Sequence, residues 1–419
     1  MTRPRDAGRT GGALSGLRVV DLGRVLAAPL AAQMLADFGA DVVKIERPVS
    51  GDEGRSIGSA AIMDANGERT AESSFYLSAN RNKRSLEINL ADPRGRDIVK
   101  SLIEQADVVI ENFLPGNMRR FGLDYETVSA VNPGIVYCSL TGYGQNGPYA
   151  ARPGYDPIFQ AQSGLMAVTG IPDDEPGAGP MRVGPSIVDV ATGYNAAFAI
   201  VTALLERERL SGRGQHIDMT LLDTAMAMQT HVVQDYLITG EQPARRGTAG
   251  NGGHPARTYA CSDGTIYISA GNNKFYAALC RVLGLPELID DPRFLKVMQR
   301  YHNRKQWDAI AEPVIAQRRT GELLDALNAA GVPAATVSTY ADAFSDPQVV
   351  HRKIRRIIAH PLAPDGEIAV VANPARLGRT PPAYDLPPPL LGEHSAAILM
   401  EWLGLSDIEI AELRGSGVI

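Results

Sequence analysis

One acid in this sequence stands apart by its neighbours. Asp189 lies in Val183-Gly184-Pro185-Ser186-Ile187-Val188-Asp189-Val190-Ala191-Thr192-Gly193, alone between apolar residues. The run that follows, residues 192–207, repeats Ala196, Ala197, Ile200, Val201, Leu204 and Leu205 at helical spacing. Asp189 is therefore expected at or just before a helix N-terminus. There, unpaired backbone N–H groups and the positive end of the dipole favour an ionised carboxylate. A charged carboxylate can attack a carbonyl. It can equally act as an N-cap that satisfies one orphan N–H and does nothing more. Both readings stay open on the local sequence.

Two other stretches concentrate polar groups. Residues 47–55, RPVSGDEGR, read as a loop over the carboxyl edge of a sheet, the kind of segment where functional residues gather. Residues 80–85, NRNKRS, set three cations in six positions ahead of an alternating strand at 86–90, and such a cluster reads as a solvated turn.

Composition removes several classes. The chain has 419 residues, more than one hydrophobic core usually supports, so two domains are expected. A net charge of -6 and the lack of a basic run with interleaved aromatics leave no footprint for nucleic acid. Cys138, Cys261 and Cys280 are far apart and read as reduced, buried thiols of a cytosolic protein. With no His-x-x-x-His pair, a metal site has no support. Residues 1–16 carry Arg3, Arg5 and Arg9 without an apolar core, so a secretory signal is not expected.

The elements that must position Asp189 begin with a βαβ unit: strand 17–22, helix 27–38, strand 41–46. Glu46 occupies the place of a ribose-binding acid, but the turn GRVLAAP at 23–29 lacks the three glycines of a dinucleotide site. Helix 93–105, strand 107–112, a helix start at 117–121 and strand 135–140 continue the alternation. The pattern predicts an α/β fold with a largely parallel sheet and helices on both faces.

At residues 152–166, RPGYDPIFQAQSGLM, the chain becomes similar to a known group. Together with LRVVDLGRVLAAP at 17–29, NRNKRS, ENFLPG at 111–116, IVDVATG around Asp189 and PPPLLGEH at 387–394, it resembles the family III CoA-transferases. The likeness runs from about Leu14 to the C-terminus, and its look is nearest to the succinate–hydroxymethylglutarate CoA-transferases. The resemblance implies a Rossmann-like large domain, a smaller α/β domain and an interlocked homodimer. It also implies that Asp189 is the nucleophile, attacking an acyl-CoA thioester to give a mixed anhydride and then an aspartyl-CoA thioester. Coenzyme A enters as substrate, with no permanently bound cofactor and no metal. The expected partners are an acyl-CoA donor and a carboxylic acid, without nucleic acid or membrane, and the expected location is the cytoplasm.

The positions that match the family's CoA contacts are Leu26, Ala27, Arg47, Ile88, Asn89, Leu90, Ala91, Asn112, Phe113, Leu114, Arg120, Pro153, Gly154, Tyr155 and Asp156. Arg47 and Arg120 suit nucleotide phosphates, whose oxygens match a guanidinium fork. Relatives close a glycine-rich loop over the reacting carboxylate, which corresponds here to residues 247–254 with Gly250, Asn251, Gly252 and Gly253. Its other reading is a surface turn between a helix ending near Gly240 and a strand at 257–261. Arg245 and Arg246 beside it suit an acceptor carboxylate. Leu26 replaces the glutamine of the formyl-CoA enzyme, which argues against formyl or oxalyl specificity. Tyr155 replaces the proton-abstracting histidine of the related racemases, and a tyrosine with a reference pKa of about 10 is a poor base at neutral pH.

The expected organisation is a large domain over residues 1–225, a small domain with linkers over 226–335, and a segment over 336–419 that returns to the large domain. Strand 265–270 and helices 274–283, 308–317 and 321–330 build the small domain. Residues 376–389 are proline-rich and should run extended. Two alternatives accompany the transferase: an acyl-CoA racemase and a non-catalytic CoA-binding protein.

Overall fold

The computed structural model describes residues 11–64, 66–250 and 253–419. Two compact units divide them. Residues 11–166, 182–243 and 352–419 form the first, and residues 167–181 and 244–351 the second.

The first unit is built on a six-stranded sheet: β1 (Arg18–Leu22), β2 (Asp41–Glu46), β3 (Lys83–Glu87), β4 (Val108–Glu111), β5 (Val136–Thr141) and β6 (His216–Thr220). Its order is β6-β5-β4-β1-β2-β3, and every neighbouring pair is parallel. The first three strands run outward from β1 to one side and the last three to the other. The direction therefore reverses between β1 and β4, where open α/β sheets leave a crevice beyond the strand carboxyl ends.

Helices cover both faces because the central strands alternate between two apolar sets. Val19, Val42, Val108 and Val136 pack on α1 (Ala27–Asp37), while Val20, Val43, Val109 and Tyr137 face α2 (Pro93–Glu104). The elements nearest Asp189 are α3 (Asp156–Gln162), α4 (Ile187–Glu206) and α5 (Leu221–Ala227). The chain returns late with α6 (Ser395–Leu403) and α7 (Asp407–Gly415), whose Ile398, Leu399, Trp402 and Ile410 join the α2 face of the core. Residues 376–389 carry no helix or strand. The run Ile187–Ser211 is long and apolar enough to cross a membrane, but Ala196, Ile200 and Ala203 of α4 are buried against the sheet with α1. Gly193 allows that approach: a Cβ there would lie 2.8 Å from the Ala27 carbonyl oxygen and 3.2 Å from Leu30 Cβ.

One local expectation is corrected. Residues 80–85 are not a solvated turn: Arg81 pairs with Asp37 at 2.5 Å, Lys83 with Asp21 at 2.8 Å and Arg84 with Asp41 at 2.6 Å, and Lys83 is fully buried within β3. Acids distant in sequence neutralise the cluster and carry it inside. Helix α4 begins at Ile187, so Asp189 sits in its first turn, at the helix N-terminus where the sequence places it.

The second unit has a three-stranded antiparallel sheet, Ala256–Ala260, Thr265–Ser269 and Ala334–Thr336, with the middle strand central. Helices Asn273–Leu283, Arg304–Ala316 and Thr320–Ala329 enclose a core around the fully buried Trp307. Buried Arg300 is satisfied by the carbonyls of His254, Phe294 and Gly271.

Candidate active site

A cavity of about 310 Å³ opens at the β1/β4 switch point. The turn after β1 lines it with Arg24 to Ala27, the turn after β4 with Asn112 to Leu114, and the segment ahead of α3 with Arg152 to Tyr155; Asp189 also faces it. The sequence folds this way because two βα turns of a parallel sheet must surface at the same edge. Asn112 ties them together. Its carbonyl oxygen accepts the Arg24 N–H at 3.0 Å, and its amide donates to the Arg24 carbonyl at 2.8 Å.

The floor beneath these turns is charged. Asp21 accepts from Lys83 and from the Gly23 N–H, each at 2.8 Å, and Lys44 donates to the Gly23 carbonyl while pairing with Asp52. Glu46, which stands where a dinucleotide-binding domain would carry its ribose acid, is buried, and its carboxylate is bound by Arg55 and by the Ser85 hydroxyl, in keeping with the missing glycine fingerprint. Burial opposes ionisation of Asp52, but the Lys44 ammonium and two backbone N–H groups outweigh it and hold the carboxyl below its usual range.

Asp189 differs. The carboxylate that caps α4 belongs to Asp156, buried at the start of α3, which accepts the N–H of Val188 at 2.7 Å and of Asp189 at 3.2 Å. Its other oxygen accepts from Gln160 at 2.5 Å, and Gln160 in turn accepts the Val183 N–H at 2.8 Å. Asp189 is therefore not the N-cap. Among the described residues none donates a hydrogen bond to its carboxyl. Burial and then the Asp156 charge push its pKa up to about 7, so the expectation of a fully ionised acid at neutral pH is corrected. The N–H groups that would have favoured the anion are already taken by a second anion.

The expected CoA contacts fall into two adjoining groups. Leu26, Ala27, Asn112, Phe113, Leu114, Pro153, Gly154 and Tyr155 line the cavity with Asp189. Arg47, Ile88, Asn89, Leu90 and Ala91 line a second cavity of about 270 Å³, which shares Arg24, Glu53 and Phe113 with the first. Exposed Arg120 lines neither, and it lies on the short helix Asn117–Phe121 whose Phe121 closes the second cavity. Asp156 is behind the wall as the helix cap. Gly154 leaves room for a ring: a Cβ there would come within 2.5 Å of Phe159 Cζ.

In the second unit, Gly250 and Gly253 line a cavity of about 670 Å³ together with Arg245 and Arg246. Asn251 and Gly252 lie outside the described residues. Arg245 is committed: it pairs with Asp173 and donates to the carbonyls of Ile171 and Ala167, so it clamps the 167–181 segment. Arg246 instead lies over the Tyr301 ring at 5.7 Å.

The family model for CoA-transferase family III matches residues 14–395. The chain belongs to family III of the CoA-transferases. Among curated relatives of this CoA-transferase, the succinyl-CoA:glutarate CoA-transferase of Mus musculus is 41% identical over 97% of this chain and 90% of its own. The succinate–glutarate CoA-transferase of Agrobacterium fabrum is 40% identical over 93% of this chain and 95% of its own. A crystal structure of a CaiB/BaiF family protein from Brucella suis superposes with a TM-score of 0.83 at 39% identity, covering 94% of this chain and 100% of the other. The protein is thus an enzyme that transfers CoA from a thioester to a carboxylic acid.

One residue of this CoA-transferase escaped sequence reasoning. Arg24 borders both first-unit cavities, pairs with Glu53 at 2.9 Å and stacks over Phe113 at 4.6 Å. The available signal was a cation inside the βα turn, where an anionic ligand meets helix N–H groups.

Proposed function

We propose that this enzyme moves CoA from succinyl-CoA to a dicarboxylic acid of the glutarate class, with Asp189 as the nucleophile. The donor and acceptor follow the names of the relatives. The observation that carries the role of Asp189 is a half-buried carboxyl facing the switch-point cavity without a hydrogen-bond donor among the described residues. Such a group is poorly solvated and more basic than an ordinary carboxylate, which favours attack on a thioester carbonyl.

In the first step an Asp189 oxygen bonds to the thioester carbon and the C–S bond breaks, giving a mixed anhydride and CoA thiolate. The thiolate then attacks the aspartyl carbonyl, releasing succinate and leaving an aspartyl-CoA thioester. The acceptor carboxylate attacks that thioester, thiolate leaves again, and thiolate attack on the acceptor's carbonyl returns Asp189 as a carboxylate. No proton is transferred, so no histidine base is needed. Coenzyme A is substrate throughout, its thioester end in the cavity with Leu26, Ala27, Asn112 and Pro153 and its nucleotide directed toward Arg47 and Ile88 to Ala91. The same reading includes an interlocked homodimer in the cytoplasm. The dimer is supported by apolar side chains left open on α4 and on helix Thr230–Thr239, with Phe198 and Ile238 each 74% exposed.

Hydroxylamine quenching after mixing with succinyl-CoA, followed by peptide mass spectrometry, tests the reading. A hydroxamate on Asp189 is expected. Turnover with the label on another residue, or with none, overturns it.

A further inference from the structure

The turn between β1 and α1 contains a backbone conformation that its sequence disfavours. Val25 has φ of +68°, the left-handed region, although it is β-branched and no glycine. A β-branched residue stays there only where its surroundings over-determine it. Asp52 supplies that constraint. Its Oδ1 accepts the Val25 N–H at 2.9 Å and the Gly54 N–H at 2.8 Å, and its Oδ2 pairs at 2.8 Å with Lys44, which also holds the Gly23 carbonyl. Asp52 is 3% exposed and Lys44 fully buried, so water does not compete for these bonds. The next residues, Leu26 and Ala27, and the preceding Arg24 all face the cavity that holds Asp189.

We infer that Asp52 is a positioning residue for CoA transfer: bonded to the Val25 N–H and anchored by Lys44, it holds Val25 left-handed so that Arg24, Leu26 and Ala27 meet the CoA thioester. Asp52 also borders the second cavity, but both of its carboxylate oxygens are taken up by Val25, Gly54 and Lys44, so it acts on the thioester end through the turn. The same bonds tie the 47–55 loop to the sheet edge, since Asp52 belongs to that loop while Val25 follows β1 and Lys44 lies in β2.

This rests on the switch-point cavity being the thioester site. The test is steady-state kinetics of the full-length enzyme with succinyl-CoA and glutarate for Asp52→Asn, Asp52→Ala and Asp52→Ala/Val25→Gly, each with a melting curve. Asp52→Asn keeps an oxygen for both N–H groups and loses the charge facing Lys44; it should raise the KM for the thioester several-fold. Asp52→Ala should raise it tenfold or more while the acceptor's KM stays within twofold. Glycine takes positive φ without penalty, so Val25→Gly in the Asp52→Ala background should recover most of the lost KM. Recovery of the melting temperature without recovery of KM would reduce Asp52 to a stabilising group and overturn the inference. So would wild-type KM in both single variants. If Asp52→Ala does not fold, Asp52→Asn with and without Val25→Gly gives the same comparison. Loss of the hydroxamate at Asp189 in the wild type would instead sink the functional reading on its own.

Discussion

Asp156 caps the helix that carries Asp189, and the two carboxyls share one helix N-terminus: Asp156 accepts the Asp189 backbone N–H at 3.2 Å while its charge raises the proton affinity of the Asp189 side chain. A helix start stabilises one anion well. Here that anion is the structural one, which leaves the second acid poorly stabilised as a carboxylate and therefore reactive.

The pH profile should report this pairing. With Asp189 at about 7, kcat/KM for the thioester is expected to rise with pH through an inflection near 7 and then level, because only the anion attacks. Asp156→Asn keeps an oxygen acceptor for both N–H groups but removes the like charge, so the inflection should move to lower pH. An unchanged inflection would separate the two acids.

Stability should move in the opposite sense to activity. The folded-state pKa of Asp189, about 7, exceeds the ordinary carboxyl value of about 3.9, so the folded protein holds this proton more tightly than the unfolded chain does. The cost of ionising Asp189 is absent below pH ~4, grows as pH rises toward 7 and is fully present above it. Asp189→Asn should therefore be more stable than the wild type at pH 8, on the order of 2–4 kcal/mol, with the gain vanishing near pH 4. Denaturant melts at pH 8, 6 and 4.5 measure the trend; a gain independent of pH would refute it.

The contact between α1 and α4 adjoins the site, since Ala27 of α1 and Asp189 of α4 both line the cavity. Gly193→Ala puts a methyl against the Ala27 carbonyl oxygen and Leu30, which should cost about 1–3 kcal/mol of stability. Ala27 lines the cavity, so the thioester's KM should rise as well. Unaltered melting temperature and KM would show that α1 moves aside freely.

Much of the fold is legible because parallel strands buried on both faces appear as apolar runs, as in LRVVDL and DVVKIE. β6, HIDMT, lies at the sheet edge and carries a His and an Asp, so it offers no such run. The strands RRIIA at Arg355–Ala359 and EIAVV at Glu367–Val371 do carry apolar runs, but among the described residues they pair with each other as a separate hairpin outside the βα alternation. The place of Asp189 was legible from the helical repeat behind it, and its role from the family resemblance. Its ionisation was not, since the acid that displaces it from the helix cap lies in α3. The buried cations of 80–85 fail for the same reason: their acids, Asp21, Asp37 and Asp41, are remote in sequence, and a local reading assigns unpaired charge to water.

The late helices α6 and α7 close the core begun by β1. Val20 and Leu22 share a cluster with Ile398, Trp402 and Val418, the Asn89 N–H bonds to the Val418 carbonyl at 2.8 Å, and Arg55 donates to the Pro389 carbonyl at 3.0 Å. During synthesis, one face of the sheet consequently waits only partly covered, by α2, until these helices leave the ribosome. A premature stop near residue 380 would leave the thioester site's strands encoded in full yet strip part of the apolar wall behind them, so such a fragment is a substrate for chaperones and proteases rather than a smaller enzyme.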